Sequence, residues 1–179
     1  MARPGTPGRL RLVTERARDT AAIESHLLAA RALAPDNPRV RYLSALAKEG
    51  EGDDGAARLF YQEAISLRAN YTDALTRLVA LAIRSSDWTL AEAQLRALLA
   101  AGERSVSRRL QLARVQEEVG KSSQAGSLLL ALHHEAPSNP AVTAALADYY
   151  ERHNRMKEAL ALRRATSEKK LRPLQPSRR

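Results

Sequence analysis

Four small or turn-forming residues, Gly52, Ser86, Gly120 and Asn154, stand 34 residues apart. A fixed period constrains a fold more than composition does, because each copy must be one supersecondary unit that buries its apolar face against its neighbours. Five residues after each lies an alanine: Ala57, Ala91, Ala125 and Ala159. One helical turn further along the same face come Tyr61, Leu95 and Leu129, while Leu78-Val79, Leu112-Ala113 and Leu146-Ala147 keep the same register on the other side. Two helices joined by a tight turn approach closely only where small side chains meet, and large apolar residues one turn away fill the space between them. Each unit therefore predicts a helix, a turn at the glycine column, a second helix and a break. Pro35-Asp36-Asn37-Pro38 and Pro137-Ser138-Asn139-Pro140 supply two breaks, since proline ends one helix and suits the first turn of the next.

Composition agrees: 44% of the 179 residues are hydrophobic but only 4% aromatic, a balance that favours helix formers over strand formers. The length suits one domain with tails. Without cysteine there is no disulfide, thiolate ligand or cysteine nucleophile. The first residues lack the apolar core of a signal peptide, and no segment reaches the roughly 18 uninterrupted apolar residues of a membrane helix. The expectation is a soluble, cytoplasmic chain.

The net charge of +9 belongs to the ends. Residues 1–19 hold five arginines against Glu15 and Asp19, and residues 163–179 hold seven basic residues against Glu168; the body between them is balanced. A neutral body argues against a basic face that tracks nucleic-acid phosphates. The tail, with two prolines and little apolar content, reads as disordered.

Catalytic and metal-binding patterns are weak. His133, His134 and Glu135 could suggest a metal site, but adjacent helical residues point about 100° apart, and a helix C-terminus attracts cations in any case. His26 and His153 read as isolated surface or partly packed residues. Glu117-Glu118 reads as a solvated helix face, Asp53 as a cap for the helix after it, and Trp88 as core packing. No glycine-rich phosphate loop, Walker motif, HExxH or GxSxG is present. No catalytic residue, cofactor or metal ligand is expected, and the chain is not read as an enzyme.

Leu146-Ala147-x-x-Tyr150, Ala57-x-x-x-Tyr61 and Pro137, set in a 34-residue period, make the chain resemble the tetratricopeptide repeat family. Arg41, Leu75, Arg109 and Thr143 stand in its tryptophan column, and Ala69 and Glu103 where proline is usual. The resemblance implies an all-α, right-handed solenoid of antiparallel helix-turn-helix repeats. A basic, partly disordered segment at 1–19 would precede a solenoid at 20–168. That solenoid would comprise a partial first repeat with a helix near 20–34, then repeats at about 38–71, 72–105, 106–139 and 140–168, with a basic disordered tail at 169–179. Arg163 and Arg164 give the last helix the polar outer face of a terminal repeat, so the chain is expected to need no further packing helix. The resemblance also implies a protein-interaction scaffold or adaptor in complex assembly, holding a partner's peptide or helix on the concave face. Helical spacing places Tyr42, Leu43 and Leu46, then Asp73, Arg77 and Arg84, then Gln111, Arg114 and Glu118 on that face. Its arginines would suit an acidic or carboxylate-bearing peptide with apolar anchors. The alternative is binding of nucleic acid or another anionic surface through the basic tails.

Overall fold

The structure is a computed structural model that describes residues 7–171, with side chains described for Asp19 and residues 21–165. Among these residues the chain is all-α: α1 (Pro7–Leu33), α2 (Pro38–Glu51), α3 (Asp54–Leu67), α4 (Thr72–Arg84), α5 (Trp88–Ala100), α6 (Val106–Glu118), α7 (Ser122–Glu135), α8 (Pro140–Arg152) and α9 (Met156–Leu171). None of these helices is long and apolar enough to cross a membrane. The helix expected near 20–34 begins earlier, at Pro7, and α9 runs to Leu171. The rest of both basic ends, 1–6 and 172–179, lies outside the described residues. The chain falls into two compact units, Met1–Ser86 and Asp87–Arg179.

Local chemistry sets the helix ends. Asn37 and Asn139 cap α2 and α8, each followed by a proline at the first helical position, and the Asn37 Oδ1 accepts from the Arg39 amide at 2.9 Å. Asp53 caps α3 through the Ala56 amide at 2.9 Å, and Asp87 caps α5 through Leu90 at 3.1 Å. All four residues of the 34-residue turn column are left-handed: Gly52 at φ 83°, Ser86 at 57°, Gly120 at 82° and Asn154 at 57°. That conformation closes the preceding helix. The Asp53 amide reaches the Lys48 carbonyl at 2.9 Å, Lys121 reaches Gln116 at 2.7 Å, and Arg155 reaches Tyr150 at 2.8 Å.

The periodic columns form the core. Ala57, Ala91, Ala125 and Ala159 are fully buried, and no member of the Tyr61 or Leu78 columns named above is more than 5% exposed. Each leucine buried this way contributes about 2 kcal/mol. In the first unit the column continues as Ser44-Ala45, where the buried Ser44 hydroxyl donates to the Val40 carbonyl at 3.0 Å. There α1 is tied to α2 by a Lys48–Glu24 ion pair and to α3 by Arg31, whose guanidinium lies 5.0 Å from the Phe60 ring centroid. In the second unit Ala113, Ala125, Leu129, Leu146, Tyr150 and Ala159 make one cluster joining α6 to α9. Gly126 of α7 lets the Tyr149 ring of α8 lie directly against its backbone: an added Cβ would stand 2.6 Å from Cζ and 2.9 Å from Cε1.

Two positions of the tryptophan column use ion pairs in place of an aromatic ring. Arg41 reaches Glu63 of α3 at 3.2 Å and the Pro35 carbonyl at 3.1 Å, while Arg109 forks onto Glu135 of α7, with Nη2 to Oε1 at 2.8 Å.

Candidate functional site

In the first unit, six residues read as a binding face lie on α2 and α4. Tyr42 is half-buried rather than free-standing, its ring centroid 5.8 Å from that of Tyr61 and 5.2 Å from that of Tyr71. Leu43 is 41% exposed, Leu46 half-buried, and Asp73 and Arg77 exposed. The residue that organises this face is Glu49, two helical turns beyond Tyr42 on the same stripe of α2. Its Oε2 accepts from the Tyr61 hydroxyl at 2.6 Å, and its Oε1 lies 3.7 Å from Arg84 and 4.0 Å from Arg77. Burial first, and then the bond to Glu49, push the Tyr61 hydroxyl far above its usual pKa. Arg77 is held more firmly protonated by Tyr42 and then by Glu49. Arg84 forks onto Asp54 at 2.7 and 3.0 Å, so its charge is satisfied within the unit. The partners of Arg84 are thus Asp54 and Glu49.

In the second unit, Gln111, Arg114 and Glu118 line a single cleft of about 930 Å³ between α6 and α8. Its apolar floor is made by Leu110, Ala113, Leu129 and Ala145. Alanines at two of these four positions leave room above the floor. Arg108, Gln111, Arg114 and Glu118 form the α6 wall; Asp148, Glu151 and Arg152 form the α8 wall.

Most charges of the cleft are neutralised from within the unit. Arg163 of α9 reaches Asp148 at 2.9 Å and Glu151 at 2.8 Å. Glu117, read from the sequence as part of a solvated face, has a side chain only 7% exposed. It pairs with Arg152 and lies 2.9 Å from the His153 Nε2, whose ring packs tilted against that of Tyr149 with centroids 4.4 Å apart. Sequence spacing missed this because Glu117 was weighed against its neighbour Glu118, whereas its partners are 35 and 36 residues away, on the next first-type helix. The Glu49–Arg84 contact of the first unit has the same 35-residue offset. Glu49 and Glu117 are therefore one repeat position, and Arg84 and Arg152 another: each couples a repeat's first helix to the first helix of the following repeat. An offset of one period plus one residue is the signal that could have found both.

The His133-His134-Glu135 stretch is a helix end. Glu135 takes Arg109, which holds its carboxyl below the usual carboxylate range; His134 is exposed and His133 half-buried. Among the described residues no group of three histidines or carboxylates is placed to hold a metal.

No protein-family model matches the chain, and no curated protein matches it significantly. Solved structures do. MamA from Desulfovibrio magneticus RS-1 is 19% identical over 92% of this chain and 95% of its own, with a TM-score of 0.63. YrrB, a TPR protein with an unusual peptide-binding site, is 16% identical over 90% of this chain and 81% of its own, with a TM-score of 0.67. A tetratricopeptide repeat protein from Parabacteroides merdae is 19% identical over 89% of this chain and 62% of its own, with a TM-score of 0.55. At these identities the likeness is one of fold, and the chain has the all-α helical-repeat fold of tetratricopeptide repeat proteins.

Proposed function

We propose that the chain is a non-catalytic protein-interaction scaffold that holds a peptide or helix of a partner protein in the α6–α8 cleft, with the α2–α4 face of the first unit as a further contact surface. The observation that carries this is the cleft itself: about 930 Å³, apolar at its floor and polar along both walls, the composition that binding sites use to combine burial with orientation. Its size suits a few side chains of a peptide. The shared fold with YrrB supports the same reading, since that protein carries a peptide-binding site. Arg114 would hold a partner carboxylate while Leu43 and Leu46 supply apolar contact in the first unit. A cytoplasmic adaptor that assembles complexes is the role this binding mode serves.

The test is a pull-down with the intact chain, followed by titration of the captured partner against Arg77→Ala/Arg114→Ala. Both arginines are exposed, so affinity should fall with little change in melting temperature. Undiminished affinity in the double variant would overturn the proposal. A steep fall in binding between low and moderate salt that vanishes when both basic ends are removed would assign binding to the tails instead.

A further inference from the structure

The α6–α8 cleft carries two charges that the fold leaves uncommitted. Asp148 and Glu151 belong to Arg163, and Glu117 belongs to Arg152 and His153. Arg108 reaches Gln111 at 3.4 Å. Arg114 and Glu118, both exposed on α6, have no hydrogen-bond or ion-pair partner among the described residues.

Two features of the sequence explain why these two stay free. They sit four residues apart with the cation first, the weaker orientation for a pair on a helix. Glu92 and Arg96 on α5 have the same spacing with the anion first, and they bond at 2.9 and 3.1 Å. The second feature is register. Glu118 occupies the repeat position held by Arg84 and Arg152, the two arginines that couple to Glu49 and Glu117. The glutamate column that holds Glu49 and Glu117 has Ile83 at the repeat between them. Reversing the charge at 118 and removing it at 83 takes this repeat out of the pattern and leaves an anion standing at the wall of the cleft.

We infer that the cleft selects a partner peptide bearing one acidic and one basic side chain on the same side, about 6 Å apart, which meet Arg114 and Glu118 while an apolar side chain between them enters the Leu110–Ala113–Ala145 floor. This rests on the scaffold reading above and narrows it: the ligand is charge-balanced at this site rather than simply acidic. A spacing of four residues on a helix, or two on an extended chain, meets the requirement. Neither charge is buried, so the pair sets selectivity and direction, and burial on the floor supplies most of the affinity.

The experiment selects binders from a displayed library of random short peptides on three forms of the intact chain. These are the wild type, the charge swap Arg114→Glu/Glu118→Arg, and a filled cleft, Ala145→Phe, with Ser107→Trp as a second filling variant should the first lower the melting temperature. Peptides enriched on the wild type should carry an acid–base pair at one of the two spacings. Resynthesised, they should bind the swap about tenfold more weakly; because the swap puts its anion first and so pairs its two charges on the helix, exchanging the peptide's own acid and base should restore binding in part. Peptides that lose binding on cleft filling but ignore the swap, or that are enriched in acids alone, overturn the charge-pair inference and leave the scaffold reading standing. No enrichment, or enrichment that cleft filling leaves intact, overturns both.

Discussion

Gly126 is the position where packing between repeats opposes helix propensity most directly. Glycine inside a helix costs about 1 kcal/mol relative to alanine, so on propensity alone Gly126→Ala would stabilise α7 by that amount. Against it stands the Tyr149 ring, whose Cζ and Cε1 would lie 2.6 and 2.9 Å from the new methyl. To regain ordinary contact the ring must retreat by about 1 Å. It is not free to do so without loss, because it packs against His153, ring centroids 4.4 Å apart, and lies 5.9 Å from Tyr150. Overpacking of this kind costs about 1–3 kcal/mol. The net expectation for Gly126→Ala is therefore a loss of about 1 kcal/mol, or a fall in melting temperature of about 2–4 °C for a chain of this size. In a Tyr149→Ala background the clash is gone and only propensity remains, so the same substitution should stabilise by about 1 kcal/mol. The coupling between the two sites, about 2 kcal/mol, is read from urea unfolding of the four proteins of the cycle followed by circular dichroism. Equal effects of Gly126→Ala in both backgrounds would refute the seating of Tyr149 on this glycine.

Ser86 holds a left-handed conformation that costs a non-glycine residue about 1–2 kcal/mol, so Ser86→Gly should raise stability by about 0.5–1 kcal/mol after the added freedom of the unfolded chain; a lower melting temperature would count against the turn geometry. Ala125 is fully buried in the α6–α9 cluster, and Ala125→Leu should cost about 1–3 kcal/mol by overpacking, with an unchanged melting temperature speaking against the repeat register. Glu92 is 4% exposed and accepts from Lys121 at 2.7 Å and Arg96 at 2.9 Å, so Glu92→Gln should cost about 1–2 kcal/mol at neutral pH. Lys121 first, and then Arg96, lower the pKa of Glu92 below its ordinary 4.5, so its stabilisation is present above that value and lost as pH falls through the folded-state pKa. The stability gap between wild type and Glu92→Gln should accordingly shrink only below about pH 4.5; a gap constant into strong acid would rule out an ionised Glu92 as its source.

What could be read from the sequence was what the period dictates. A turn column of Gly, Ser, Gly and Asn has the left-handed conformation as its common property, and an alanine column five residues on has close approach as its common requirement. Both hold for any chain that stacks such units. The start of α1 was not legible, because five arginines among residues 1–19 leave no apolar stripe of helical period there. Yet no glycine or proline follows Gly8 before Leu33, and proline at the first position suits a helix that begins at Pro7. The ion pairs were not read either. Arg41 and Arg109 stand where a tryptophan would pack, and only the positions of Glu63 and Glu135 on the second helices show how a guanidinium can serve there.

The charged face shows why exposure alone is a poor guide to a binding residue. Arg84 and Arg114 are both exposed arginines on first-type helices, and sequence spacing could not separate them. Geometry does: Arg84 is forked onto Asp54 and faces Glu49, whereas Arg114 meets no carboxylate among the described residues. The Glu49–Arg84 and Glu117–Arg152 contacts each set an exposed arginine on a mostly buried carboxylate one repeat earlier, and so help to fix which helix follows which, and with what stagger. A repeat that keeps both members of the pair spends its charge on its neighbour. A repeat that has lost the pair, as at Ile83 and Glu118, keeps charge available for a ligand. The departures from the repeat's own internal pattern, rather than its regularities, are thus where selectivity can reside, and in this chain they converge on the wall of its large cleft.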